Sequence, residues 1–157
     1  MRIRLLGLAL AQLALVGVAV GPQLVARTTG EDYLMRVRPV DPIDPFRGAY
    51  VTLAYPDLRG PGGSGRPRRE GGERGDVFLT LVEEDGFWVL GERTQARPDS
   101  GPYLACDDRS WTVRCGIESW FVPQDRAREL EDALVDGGVA TVRVDSRGVA
   151  VVVSVDP

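Results

Sequence analysis

The opening residues constrain this chain more than any later motif. From Leu5 to Ala26 no residue carries a charge; Arg2 and Arg4 precede the run, and Arg27, Glu31 and Asp32 follow it. Coiled as a helix at about 1.5 Å per residue, the run reaches roughly 33 Å, the depth of a bilayer's hydrocarbon core. It is apolar on every face, whereas a helix lying on a soluble core keeps a polar side. Two readings stand. One is a retained anchor. The other is a cleaved signal peptide, with Leu5–Val16 as its apolar region and Gly17-x-Ala19 as a small-residue cleavage site. The uncharged run continues past that site, which favours the anchor, and Gly21-Pro22 is the place where the helix would kink or stop. With arginines on the leading side, the positive-inside rule puts the N-terminus in the cytoplasm and residues 27–157 outside.

What is absent narrows the chemistry. The chain has no histidine, lysine or asparagine, so all 19 basic residues are arginine. Histidine triads, serine–lysine dyads, lysine Schiff bases and histidine-ligated metals are excluded. A signal-peptidase-like enzyme, which also pairs an anchor with an exported β-domain, fails on the missing lysine. No cofactor is expected. Residues 27–157 hold 17 arginines against 23 carboxylates, so this acidic part is a poor nucleic-acid binder. Cys106 and Cys115 are the 2 cysteines, spaced for a disulfide across a loop in an oxidising compartment, or for two buried thiols.

The 19 glycines and 11 prolines favour turns over long helices. Tyr33, Met35 and Val37 alternate as one face of a strand, and so do Ala49, Val51, Leu53 and Tyr55. Residues 60–75 are mostly glycine, proline and arginine and read as a disordered loop. Its Arg66, Arg68 and Arg69 have either anionic headgroups or plain solvent to meet, and solvent is the simpler reading. Val77–Val82 and Phe87–Leu90 form a hairpin around Glu83-Glu84-Asp85-Gly86. Tyr103–Cys106 and Trp111–Arg114 form a second one, with the cysteines near its base. Pro123–Val135 has helical spacing and stops at Gly137-Gly138. A last hairpin follows, turning at Asp145–Gly148. Its valine-rich return, Val149–Val155, reads as a central strand covered on both faces. The fold class expected is mainly β: one N-terminal transmembrane helix, then a small antiparallel barrel or sandwich with one short helix before the C-terminal hairpin.

Two blocks in order, Gly48-x-Tyr50-x-x-Leu53-x-Tyr55 and Gly116-Ile117-Glu118-Ser119-Trp120-Phe121-Val122-Pro123, make the chain resemble the GDYXXLXY family, small bacterial membrane-anchored proteins of unknown function. The resemblance spans nearly the whole chain. It implies an exported β-rich domain on one anchor in the bacterial cytoplasmic membrane, with a multi-pass membrane protein as the expected partner. The family's aspartate is Ala49 here.

Two clusters qualify as a ligand or partner surface. Asp41, Asp44, Arg47 and Tyr50 lie on proline-stiffened backbone; two carboxylates there suit acid–base work or a hard cation, while turn capping is the plainer account. Arg114, Glu118 and Trp120 place a carboxylate beside an aromatic, as in a sugar subsite; the plainer account is an Arg114–Glu118 ion pair over a packed Trp120. The function expected is a non-enzymatic accessory or interaction module. The alternative is a carboxylate-based hydrolase or glycan-binding domain built on Asp44 and Glu118.

Overall fold

The computed structural model describes residues 2–40, 50–59, 75–110, 112–122, 129–130 and 132–157. Helix α1 runs Arg2–Thr29. It passes through Pro22 without ending there, so Gly21-Pro22 is no stop. The Thr28 and Thr29 hydroxyls donate back to the Leu24 and Val25 carbonyls of the last turns, while the terminal Ala26 and Arg27 carbonyls accept the Gly30 amide and the Arg143 guanidinium. The segment Gly7–Thr29 is long and apolar enough to cross a membrane, and Leu8, Leu13, Leu15 and Val18 are all exposed along it. The Gly17-x-Ala19 site falls in the middle of this helix.

The rest is mainly β. Strands β1 (Glu31–Pro39), β2 (Tyr50–Ala54), β6 (Ser119–Phe121), β7 (Gly138–Val144) and β8 (Ala150–Asp156) form one antiparallel sheet in the order β6-β2-β1-β7-β8. Strands β3 (Asp76–Glu84), β4 (Phe87–Thr94) and β5 (Tyr103–Asp107) form a second in the order β4-β3-β5. Alternation decides what goes inside. Tyr33, Met35 and Val37 of β1, Val51 and Leu53 of β2, and Ala140 and Val142 of β7 bury against Val77, Leu79, Leu81 and Leu104 from the second sheet, giving one shared core. The hairpin between β3 and β4 closes through Asp85 and Gly86, both at positive φ (53° and 81°), the backbone that a two-residue turn matched to strand twist requires.

Two expectations change, and a third is seen only in part. β8 is an edge strand, not a central one. Its valines alternate between buried and half-buried, and among the described residues it pairs with β7 on one side while also packing against α1. The hairpin expected after β5 shrinks to a single bridge between Asp107 and Arg114, because the Asp107 carboxylate accepts the Arg109 amide and bends the chain away from strand geometry. Of the helix expected over 123–135, residues 129, 130, 132 and 133 are helical, Leu134 is fully buried, and Gly137 takes φ 102° at the stop. Its earlier part, like the 60–74 part of the Gly/Arg loop, lies outside the described residues.

Candidate functional site

The two signature blocks meet. β2 pairs with β6, aligning Tyr50 with Phe121 and Val51 with Trp120. Beyond the ladder, the Leu53 amide donates to the Glu118 carbonyl (2.9 Å), and the Tyr55 hydroxyl donates to the Ile117 carbonyl (2.9 Å). Leu53, Tyr55 and Ile117 are buried. Burial raises the Tyr55 phenol far above its ordinary value, with the Glu118 charge adding to it, so Tyr55 stays a neutral donor. Cys106 and Cys115 form a disulfide that ties the start of this segment to β5. Gly116 follows at φ 83°, a left-handed position that suits glycine.

Glu118 is engaged in this loop. Its carboxylate accepts the backbone amides of Cys115 and Gly116. Its partners are these amides and not Arg114, whose side chain is exposed and whose backbone bridges to Asp107. Trp120 is half-buried against the core and Phe121 is exposed. Of the sequence-derived candidates, Glu118 and Trp120 therefore sit together on the signature junction, with Arg114 turned outward. Asp41, Asp44, Arg47, Gly48 and Pro123 lie outside the described residues, as does Ala49. The Tyr55 hydroxyl and the Glu118 carboxylate are occupied in building the junction.

A second locus lies where α1 enters the domain, and sequence reasoning missed it. Only Gly30 separates α1 from β1. Its amide closes onto the Ala26 carbonyl (3.0 Å), and a Cβ there would meet that oxygen at 2.6 Å and the Val144 carbonyl carbon at 2.8 Å, so no side chain fits. Ala26 is fully buried. Arg143 of β7 clamps the joint: its guanidinium reaches both Asp32 oxygens (2.6 and 2.8 Å) and donates to the Arg27 carbonyl (2.9 Å). The Arg143 hydrogen bonds hold the Asp32 carboxyl below its ordinary range.

Beside this joint opens a cavity of about 390 Å³. Glu31 and Tyr33 of β1, Tyr103 of β5 and the β7–β8 turn at Asp145-Ser146 line it, with Thr29 of α1 at its edge. Tyr33 donates to Glu31 Oε2 (3.2 Å) and meets Trp88 edge-on. Tyr103 donates to the Ser146 carbonyl (3.1 Å), and Arg97 donates from Nε to the Tyr103 hydroxyl and from Nη2 to the Ser146 carbonyl. Asp145 is buried and saturated: it accepts the amides of Arg147 and Val149 and the Arg147 guanidinium. Burial pushes its carboxyl upward, but these donors outweigh burial and leave it below the ordinary value. Gly148 closes the turn at φ 80°, where a Cβ would strike the Tyr103 ring. The signals were faint in sequence. Glu31 reads as a flanking charge, and nothing near Asp145 announces that β5 docks on its turn. Among the described residues no cluster of three or more metal-ligating side chains forms.

The GDYXXLXY family model matches residues 12–155, from inside α1 to the end of β8. The chain belongs to that family. No curated protein and no solved structure matches it.

Proposed function

We propose that this member of the GDYXXLXY family is a single-pass, membrane-anchored envelope module whose β-domain sits outside the bacterial cytoplasmic membrane, and that it serves as an accessory to another membrane protein. The joint at Gly30 carries the reading. A buried Ala26, a Gly30 amide closed onto the helix and an Arg143 clamp on the Arg27 carbonyl couple α1 to the sheet with no linker. A signal peptide destined for removal has no need of such a joint. A helix held in this way transmits position, so a partner that grips α1 also orients the domain. The apolar faces of α1 are left uncovered by the domain, which suits contact with lipid or with partner helices. The leading arginines and the disulfide both favour the outward orientation.

The test is co-purification. The full chain, tagged at its C-terminus, is extracted from native membranes in mild detergent and its companions are identified by mass spectrometry. A stoichiometric multi-pass partner, lost when Gly7–Thr29 is exchanged for an unrelated spanning helix, supports the reading. A solitary protein overturns it.

A further inference from the structure

We propose that the cavity at the foot of α1 binds a zwitterionic phosphoethanolamine headgroup of the surrounding bilayer, with Glu31 receiving the ammonium and Arg97 the phosphate. The proposal rests on the membrane-spanning reading above.

Depth comes first. Val25 is the last exposed large apolar residue of α1, and Thr29 at the cavity edge lies one turn further on. One turn is about 5.4 Å. A bilayer of about 40–45 Å with a core of about 30 Å leaves a headgroup layer of similar depth on each side. The cavity therefore opens at the level of the headgroups.

Charge comes second. Asp145 is neutralised by Arg147 and the turn amides, so it asks for no further cation. Glu31 is different: Tyr33 bonds Oε2, and Oε1 accepts nothing among the described residues. Tyr33 and Tyr103 provide aromatic lining, which with a carboxylate is the usual environment for an ammonium. Behind the wall, Arg97 is fixed by bonds to two lining residues, Tyr103 and Ser146, and lies 5.6 Å over the Tyr103 ring, with Nη1 making no hydrogen bond among the described residues. A carboxylate in the cavity wall and a cation held against that wall through Tyr103 and Ser146 match a group with an ammonium at one end and a phosphate at the other. The volume of about 390 Å³ falls in the ordinary range for small ligands. Phosphatidylethanolamine can donate N–H bonds to Glu31. Phosphatidylcholine cannot, since its nitrogen is fully methylated, and phosphatidylglycerol brings no cation.

The experiment uses the full chain in detergent. Native mass spectrometry reads the lipid retained after exposure to equal amounts of phosphatidylethanolamine, phosphatidylcholine and phosphatidylglycerol. Phosphatidylethanolamine should be retained about tenfold better than either, the worth of one charge-assisted hydrogen bond. E31Q should bring it down to the phosphatidylcholine level with an unchanged melting temperature, and R97Q should weaken retention of both phosphatidylethanolamine and phosphatidylglycerol. Equal retention of the three lipids, or an E31Q chain that still prefers phosphatidylethanolamine, overturns the proposal. Free O-phosphorylethanolamine separates the sources: if it competes as strongly, mole for mole, as the lipid, the site serves a soluble ligand and the lipid assignment fails. Carbonate extraction of native membranes tests the underlying reading independently. Release of the chain defeats the anchor, whereas an anchored chain without lipid preference defeats only the headgroup site.

Discussion

The two ends of β1 are built on different principles. At its C-terminal end Arg38 and Pro39 pair with Ala54 and Leu53, and the signature junction is dry: Leu53, Tyr55 and Ile117 are buried, and a disulfide closes the segment. At its N-terminal end, about 26 Å away along nine residues, the foot is polar and partly open. There Arg143 and Asp32 keep 29% and 46% of their side chains exposed. The junction determines whether the domain folds; the foot determines how the folded domain stands on its helix. Residues that give the family its name thus mark the scaffold, and the feature with ligand-binding geometry lies outside them.

That contrast predicts an ordered series of stabilities, read by thermal or urea unfolding of the full chain in detergent. Leu53→Ala removes a buried side chain from the junction and should cost about 3 kcal/mol, transfer plus cavity. Cys106→Ser with Cys115→Ser frees a short loop in the unfolded chain and should cost about 2–3 kcal/mol. Tyr55→Phe keeps the ring but strands the Ile117 carbonyl, for about 1–2 kcal/mol. Arg143→Gln at the foot should cost the least of the four, since an exposed pair contributes little. Its effect belongs to the joint: trypsin cleavage after Arg27 should quicken by about fivefold as the last turn of α1 loosens. If Arg143→Gln costs as much as Leu53→Ala, the foot is part of the folding core and the contrast breaks.

How much of this was legible follows the same division. Strand faces such as Tyr33/Met35/Val37 and Val51/Leu53/Tyr55 could be read because a period of two is local, and the structure buries those residues. The disulfide could be read because 2 cysteines allow one pairing within the chain. The foot could not. Glu31 aligns with Val144, and Arg143 reaches Asp32 across 111 residues of sequence; no local pattern encodes that register. Gly30 gives no warning either, because its requirement comes from the helix-end carbonyl of Ala26 together with Arg143 and Val144 of β7. The valine run of β8 misled because composition reports apolar surroundings without saying whether a strand or a helix supplies them. The partners of Glu118 are backbone amides, which side-chain patterns do not display.

The smallest predicted effect is the sharpest test of the contrast, because the two ends of β1 should weaken at opposite ends of the pH scale. At the foot, Asp32 and Asp145 titrate below their ordinary value near 3.9. The unfolded chain then binds protons that the folded chain refuses, so the stability these groups add is present above about pH 4 and is lost as pH falls through their folded values. At the junction, burial keeps Tyr55 protonated well above the ordinary phenol value near 10. There the unfolded chain releases a proton that the folded chain keeps, so stability declines as pH rises past about 10. Tyr33 at the foot shifts in the same direction, through burial and Glu31, so Tyr55→Phe and Tyr33→Phe must be compared. Unfolding midpoints between pH 7 and pH 11 should flatten more in Tyr55→Phe. Between pH 5 and pH 3, Asp145→Asn should flatten the profile and Tyr55→Phe should leave its slope unchanged. An acid slope that disappears with Tyr55→Phe would mean the two ends are one cooperative unit, and the division drawn along β1 would fail.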